Sequence, residues 1–250
     1  MNEVIRTLQN HRSFRDYKDT PVSAEDLLEI IAAAQAAPSW AHGQHVTIIS
    51  VQDKPHREQL SVLSGNQKHV AEAPVFLVFC MDFHRARLAS EMEGQPFETP
   101  QDVDALLVGA TDVGLALAGA ITAAESLGLG TIPIGGIRRQ TKEVITLLQL
   151  PLYVFPVAGL CIGYPAAEVP QKPRLPVQAV YHEEQYQPEL TGLLREYNQI
   201  HREFLQAQGG TVRDWTSTLA HFYAANPRYG DAKAGLEQQG FLGDEREKGK

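Results

Sequence analysis

The chain has 250 residues, 43% of them apolar, enough to bury a full core and within the range of one large domain or two small ones. Its formal net charge of −8 argues against a general nucleic-acid footprint, which shows as a basic excess or stripe, so any clustered positive charge serves a local purpose. The two cysteines, Cys80 and Cys161, each lie inside an apolar run; they read as buried free thiols rather than a disulfide framework or a CxxC site, although a bond between them stays open.

The N-terminal MNEVIRTLQNHR contains no apolar stretch of signal-peptide type, so a cytoplasmic location is expected. The first chemical signal is His11-Arg12-Ser13-Phe14-Arg15, two guanidinium groups, an imidazole and a hydroxyl within one short segment. A phosphate monoester carries roughly −1.5 to −2 charges near neutral pH, and the planar donor fork of Arg matches its oxygens. The segment is therefore either a phosphate grip or a solvated basic turn, and partners elsewhere decide. Asp19-Thr20-Pro21 then breaks the chain, and Ser23 with Asp26 forms a capping-box-like helix start. Leu27, Leu28, Ile30, Ile31 and Ala34 give that helix an apolar face, and Pro38 ends it. Ser39 to Gln44 reads as a loop leading into a strand at His45 to Val51.

Pro55 to Leu63 reads as a short helix closed by Gly65. The donor-rich patch Asn66-Gln67-Lys68-His69, a polar turn or a ligand contact, precedes an apolar run from Val75 to Phe83 that reads as a central strand. Glu93 to Asp102, with Gly94, Pro96 and Pro100, reads as a mobile connection inside one domain. Val103 to Leu127 is apolar on nearly all sides, which means deep burial or a membrane span. Asp104, Asp112 and Glu125 leave it no uncharged stretch of the roughly 18 residues a span needs, so a central core helix is expected, its small residues admitting a second helix closely. In Gly128 to Gly136 a GxGxxG fingerprint fails, because Pro133 stands where a glycine is required and the segment follows a helix. What remains is a strand, Thr131 to Ile134, ending in Gly135-Gly136, which is either a tight turn or a close backbone approach to a flat ligand.

Thr141 to Leu150 reads as a helix and Val154 to Ile162 as a strand ending at Gly163. The proline-stiffened loop Glu168 to Pro176 carries Lys172 and Arg174, which face solvent or complete a phosphate site begun by Arg12 and Arg15. From Leu190 the apolar spacing is helical through Leu205. Gly209-Gly210 breaks it, a second helix runs from Arg213 to Ala225, and the charged end from Gly243 to Lys250 reads as frayed. No HExxH, GxSxG, EF-hand loop or metal-ligand histidine spacing occurs.

These stations together resemble the FMN-dependent nitroreductase and flavin reductase superfamily, in its NADPH-preferring, oxygen-insensitive branch. The resemblance is carried by HRSFRDY at 11–17, APSxxxxQ at 37–44, GNQKHVAEAP at 65–74, TAAESLGLGTIPIGGIR at 122–138, GLCIGYP at 159–165 and KPRLP at 172–176. It implies that His11, Arg12, Ser13, Arg15, Ser39, Gln67, Lys172 and Arg174 hold FMN. Pro133, Ile134, Gly135 and Gly136 would lie along the isoalloxazine, with a backbone amide of Gly135 or Gly136 toward N5. No catalytic acid or base is implied, since hydride transfer belongs to the flavin. Arg213 would contact the 2'-phosphate of NADPH, or else pair with Asp214 or solvent. The local alternation of strands and helices suggests a doubly wound parallel sheet. The resemblance implies instead an α+β nitroreductase-like fold with a central, mainly antiparallel mixed sheet flanked by helices in an intertwined homodimer, one domain over 1–250 with a helical C-terminal excursion at about 190–240.

The implied activity is NADPH-dependent, ping-pong reduction of nitroaromatics, quinones, free flavin or a similar small-molecule acceptor, with no nucleic-acid or membrane partner. The alternatives are a flavin-binding or sensing protein without useful turnover, and a non-flavin protein that uses the Arg cluster on another phosphate. One departure concerns the acceptor: Trp40-Ala41 stands where relatives carry further small hydroxyl residues after Ser39, and an indole there stacks on an aromatic acceptor or narrows its entry.

Overall fold

The structure, a computed structural model, describes residues 1–224 and 229–242. The expected fraying of Gly243 to Lys250 and the expected helix end at Ala225 lie outside the described residues. The chain divides into two compact units, residues 1–169 with 229–250, and residues 170–228.

The first unit is built on a four-stranded sheet of β1 (Val46–Ser50), β2 (Val75–Asp82), β3 (Gly130–Ile134) and β4 (Val154–Gly163), in the order β1-β2-β4-β3. All three pairings are antiparallel, with Val46 opposite Met81, Val75 opposite Ile162, and Gly130 opposite Gly163. This overturns the doubly wound parallel arrangement that the local alternation suggested. It also narrows the mixed sheet implied by the resemblance: the only parallel pairing among the described residues is an isolated bridge from Ser13 to Thr131. The two inner strands are buried along almost their whole length, because helices cover both faces, and they read as continuous apolar runs rather than as alternation. The register slips between Phe79 and Cys80. There Pro156, which has no N–H to give, sits opposite Cys80.

Around the sheet lie α1 (Glu3–Gln9), α2 (Ala24–Gln35), α3 (Lys54–Leu63), α4 (Lys68–Glu72), α5 (His84–Met92), α6 (Val103–Ser126) and α7 (Thr141–Leu147). Ser23 caps α2 by accepting from the Asp26 amide at 2.9 Å, as the capping-box pattern requires. The patch at 66–69, read as a polar turn or a ligand contact, runs into α4. The helix expected to reach Leu150 stops at Leu147, followed by Gln149 in the left-handed region. Helix α6 is central but not buried all round. Ala105, Gly109, Asp112, Val113, Ala116, Ala120 and Ala124 face the core, while Val103 and Leu107 are 60% and 63% exposed. By length and composition α6 is apolar enough to cross a membrane, yet its Asp112 and Glu125 carboxylates are both committed to histidines within the unit.

The second unit holds α8 (Thr191–Ala207) and α9 (Trp215–Ala224). Tyr197 packs edge-on against Trp215 at 5.6 Å, and Asn198 donates to the Thr216 hydroxyl at 2.8 Å. The chain then returns to the first unit with α10 (Ala232–Gln238).

Candidate functional site

The segment from His11 to Tyr17 runs along the open edge of β3. The Phe14 amide donates to the Thr131 carbonyl at 2.9 Å, Ser13 bridges Thr131, and Tyr17 bridges Pro165. Gly130 makes the approach possible, since a Cβ there would lie 2.6 Å from the Phe14 ring. The basic segment and the strand that ends in Gly135-Gly136 are thus laid side by side. Of its donors, His11, Arg12 and Ser13 are half-buried and Arg15 is exposed. The His11 ring is already engaged: its Nδ1 lies 2.6 Å from Glu125 Oε1, and the Thr131 hydroxyl donates to the same oxygen at 2.9 Å.

Beyond β3 the chain turns through a short 3-10 segment, Gly135–Arg138. Pro133 faces outward and Ile134 into the core. Gly136 packs against Gln67, whose Nε2 donates to the Ser64 carbonyl at 2.8 Å while its Oε1 meets His69 Nε2 at 3.1 Å. Among the described residues a Cβ at Gly135 would meet only the Tyr229 hydroxyl at 3.5 Å and Arg138 beyond it, so this stretch of backbone stands open toward them. Arg138 donates to the carbonyl of Val157 at the β4 irregularity and lies under the Tyr229 ring, 5.2 Å from its centroid. His69 is held below the ordinary histidine range, first by burial and then by the positive charge of Arg15.

Ser39 stands on a loop of its own. Its hydroxyl accepts from the Gln44 amide at 3.0 Å, and the loop holds Ala41, His42 and Gln44 at positive φ. Such a conformation costs a non-glycine residue energy, and here it is over-determined. Asp112, buried in α6, accepts from the Trp40 amide at 3.0 Å and binds His45 Nδ1 at 2.9 Å; Arg85 donates to the carbonyls of Gln44 and Val46 at 2.6 and 2.8 Å. Ser39, His45, Asp112 and Arg85 line a cavity of about 830 Å³. Trp40 is 61% exposed. No described contact joins Ser39 to the His11–Gly136 group.

Lys172 and Arg174 are exposed and belong to the second unit. Arg174 donates to the Lys172 carbonyl at 3.2 Å, Tyr197 pins the Pro173 carbonyl at 2.8 Å, and both cations line a cavity of about 480 Å³ with Ile200, Glu203 and Phe204. Arg213 is exposed. Asp214 binds Arg202 at 2.5 Å, and among the described residues no ion pair joins it to Arg213.

Three residues near the site were not singled out for it from sequence: Glu125, Asp112 and Tyr229. The first two had a signal. They are charges inside an otherwise apolar helix, which a buried helix tolerates only when each has a partner. Tyr229 had none, since nothing local ties it to Gly135.

The donors fit a phosphorylated flat ligand: a basic, hydroxyl-bearing segment docks on the strand whose far end is a side-chain-free turn. The Nitroreductase family profile matches residues 8–164, and that of the Nitroreductase family C-terminal domain matches residues 172–244. The chain is 47% identical to an FMN reductase [NAD(P)H] of Bacillus subtilis over 96% of its own length and 98% of that protein's. It is 42% identical to an oxygen-insensitive NADPH nitroreductase of Salmonella typhimurium, covering 85% and 87% of the two chains. Among solved structures, B. megaterium NfrA2 superposes with a TM-score of 0.95 at 48% identity, over 98% of this chain and all of that one.

Proposed function

The chain belongs to the nitroreductase family, and from that premise we propose that it is an NADPH-dependent flavin oxidoreductase. In this reading it binds FMN and reduces small-molecule acceptors, nitroaromatics, quinones or free flavin, in a ping-pong order. The observation that carries the reading is the docking of His11–Arg15 along the strand that ends in Gly135-Gly136.

FMN, when bound, supplies the hydride acceptor and donor, so no side-chain acid or base is asked of the protein. Arg12 and Arg15 hold the phosphate through charge-assisted bonds, with His11 and Ser13 as further donors. Pro133, Ile134, Gly135 and Gly136 lie along the isoalloxazine, with Gln67 beside them. Ser39, Lys172 and Arg174 are carried over from the family's motifs, and Arg213 is assigned to the 2'-phosphate of NADPH. The protein works as a homodimer with FMN at the subunit boundary, and a flavin so placed draws on more than one group of residues. Support for the dimer comes from the exposed apolar residues Val103, Leu107 and Leu115 of α6 and from exposed Leu28 on α2. A cytoplasmic enzyme of this kind acts on small molecules and has no nucleic-acid or membrane partner.

The absorption spectrum of the purified protein, followed by NADPH oxidation with added acceptors, tests the proposal. A yellow protein that oxidises NADPH supports it. Flavin without NADPH oxidation leaves only a flavin-binding protein, and a colourless protein whose titration gives no quenching of FMN fluorescence removes the reading. Arg15→Ala is expected to weaken FMN by about 1.5 to 3 kcal/mol, the range for a hydrogen bond to a charged group.

A further inference from the structure

We propose that Glu125 is a positioning residue for the flavin phosphate: it holds the His11 ring so that Nε2 faces the ligand as a hydrogen-bond donor. The proposal rests on the FMN reading above and deepens it.

Glu125 sits in the last turn of α6. A carboxylate there faces the negative end of the helix dipole, so the helix itself gives no reason for it. Its Oε1 is instead the meeting point of two elements, taking His11 Nδ1 at 2.6 Å and the Thr131 hydroxyl at 2.9 Å. The His11 and Glu125 side chains are 25% and 11% exposed, and Thr131 is fully buried. Thr131 is also the residue on which the N-terminal segment docks, through the Phe14 amide and the Ser13 bridge. One carboxylate therefore ties the His11 ring to the strand whose far end carries Gly135-Gly136.

The consequence follows from imidazole chemistry. A carboxylate accepts only, so it takes the proton on Nδ1 and leaves Nε2 as the outward nitrogen. Among the described residues Nε2 makes no hydrogen bond. In a neutral ring with its proton on Nδ1, Nε2 presents a lone pair, which repels a phosphate oxygen. In the imidazolium form both nitrogens donate, one to Glu125 and one to the phosphate. Only the doubly donating form serves two anions at once, and the direction of the ring is set by the partner that belongs to the protein. Without Glu125 the ring is free to turn and to carry its proton on either nitrogen.

The test compares FMN with riboflavin, which lacks the phosphate, by fluorescence quenching on the full-length flavin-free protein. In Glu125→Gln the Kd for FMN is expected to rise about tenfold, equivalent to about 1.4 kcal/mol, while that for riboflavin stays within about twofold. In a His11→Ala background the same substitution changes neither. Equal weakening of both flavins would make Glu125 a purely structural residue and overturn the proposal, as would an unchanged FMN Kd. Wild-type protein that binds neither flavin would defeat the FMN reading and this proposal with it. Should Glu125→Gln not fold, nitrogen-15 NMR of His11 in the wild-type FMN complex decides. Protons on both ring nitrogens support the proposal; a neutral ring with a bare Nε2 overturns it.

Discussion

Gly136→Ala is expected to unfold at a clearly lower temperature than Gly135→Ala, although the two glycines are neighbours in one turn. At Gly136 a Cβ would lie 2.2 Å from Gln67 Nε2 and 2.3 Å from the Ser64 carbonyl oxygen. The Gln67 tip can swing aside, but it then gives up its 2.8 Å bond to Ser64, a loss of about 0.5 to 1.5 kcal/mol. The Ser64 carbonyl belongs to the backbone that ends α3 and must shift bodily; overpacking of that kind costs about 1 to 3 kcal/mol. The sum is about 1.5 to 4.5 kcal/mol, or roughly 3 to 18 °C in Tm for a chain of this size. At Gly135 the first contact is the Tyr229 hydroxyl at 3.5 Å, an ordinary separation. Its φ lies outside the left-handed region, so alanine there gains about 0.4 to 1 kcal/mol by restricting the unfolded chain. Thermal unfolding of the two flavin-free variants, followed side by side by circular dichroism, measures the difference. Equal midpoints would refute the packing argument. Gly135→Ala should still weaken FMN, because the open backbone it fills is the one assigned to the flavin.

Burial and then Arg15 lower the pKa of His69, so on acidification the unfolded chain takes the proton first and stability is lost as pH falls through the unfolded value near ~6.5. His69→Gln should reduce the drop in urea midpoint between pH 7.5 and 5.5, and an unchanged drop would count against the assignment. Burial pushes the Cys80 and Cys161 thiols well above the ordinary range. Neither should react promptly with a disulfide reagent in the native protein at pH 8, and both should react in denaturant; a fast native thiol would contradict their placement. Arg213→Ala should lower kcat/KM for NADPH by about tenfold to a hundredfold, from a loss of 1.5 to 3 kcal/mol. Activity with NADH and FMN content should hardly change, and equal losses with both nicotinamides would mean that Arg213 shapes the fold instead.

Much of the molecule was legible locally. The Ser23 cap, the apolar runs that became β1 to β4, and the Gly209-Gly210 break are written in neighbouring residues, and the structure places them within a few positions of the expectation. Helices α1, α4, α5 and α10 were missed because they bury one residue or none, so their sequences carry little apolar periodicity to detect. The residues proposed to grip the phosphate were visible as residue types before anything was known of their surroundings.

What the chain could not disclose by itself is what meets what. Strand direction depends on which apolar run pairs with which, and an alternation of strands and helices is compatible with either sense; the antiparallel order β1-β2-β4-β3 is a long-range choice. The same holds for the charges in α6. Asp112 and Glu125 looked like interruptions of an apolar helix, and each became intelligible only when folding brought His45 and the Trp40 amide to one, and His11 and Thr131 to the other. Those partners are far away in sequence. Local sequence determines propensity, caps and donor types through neighbours along the chain, whereas the pairing of a buried charge is settled by which surfaces close over it, and only the tertiary structure contains that information.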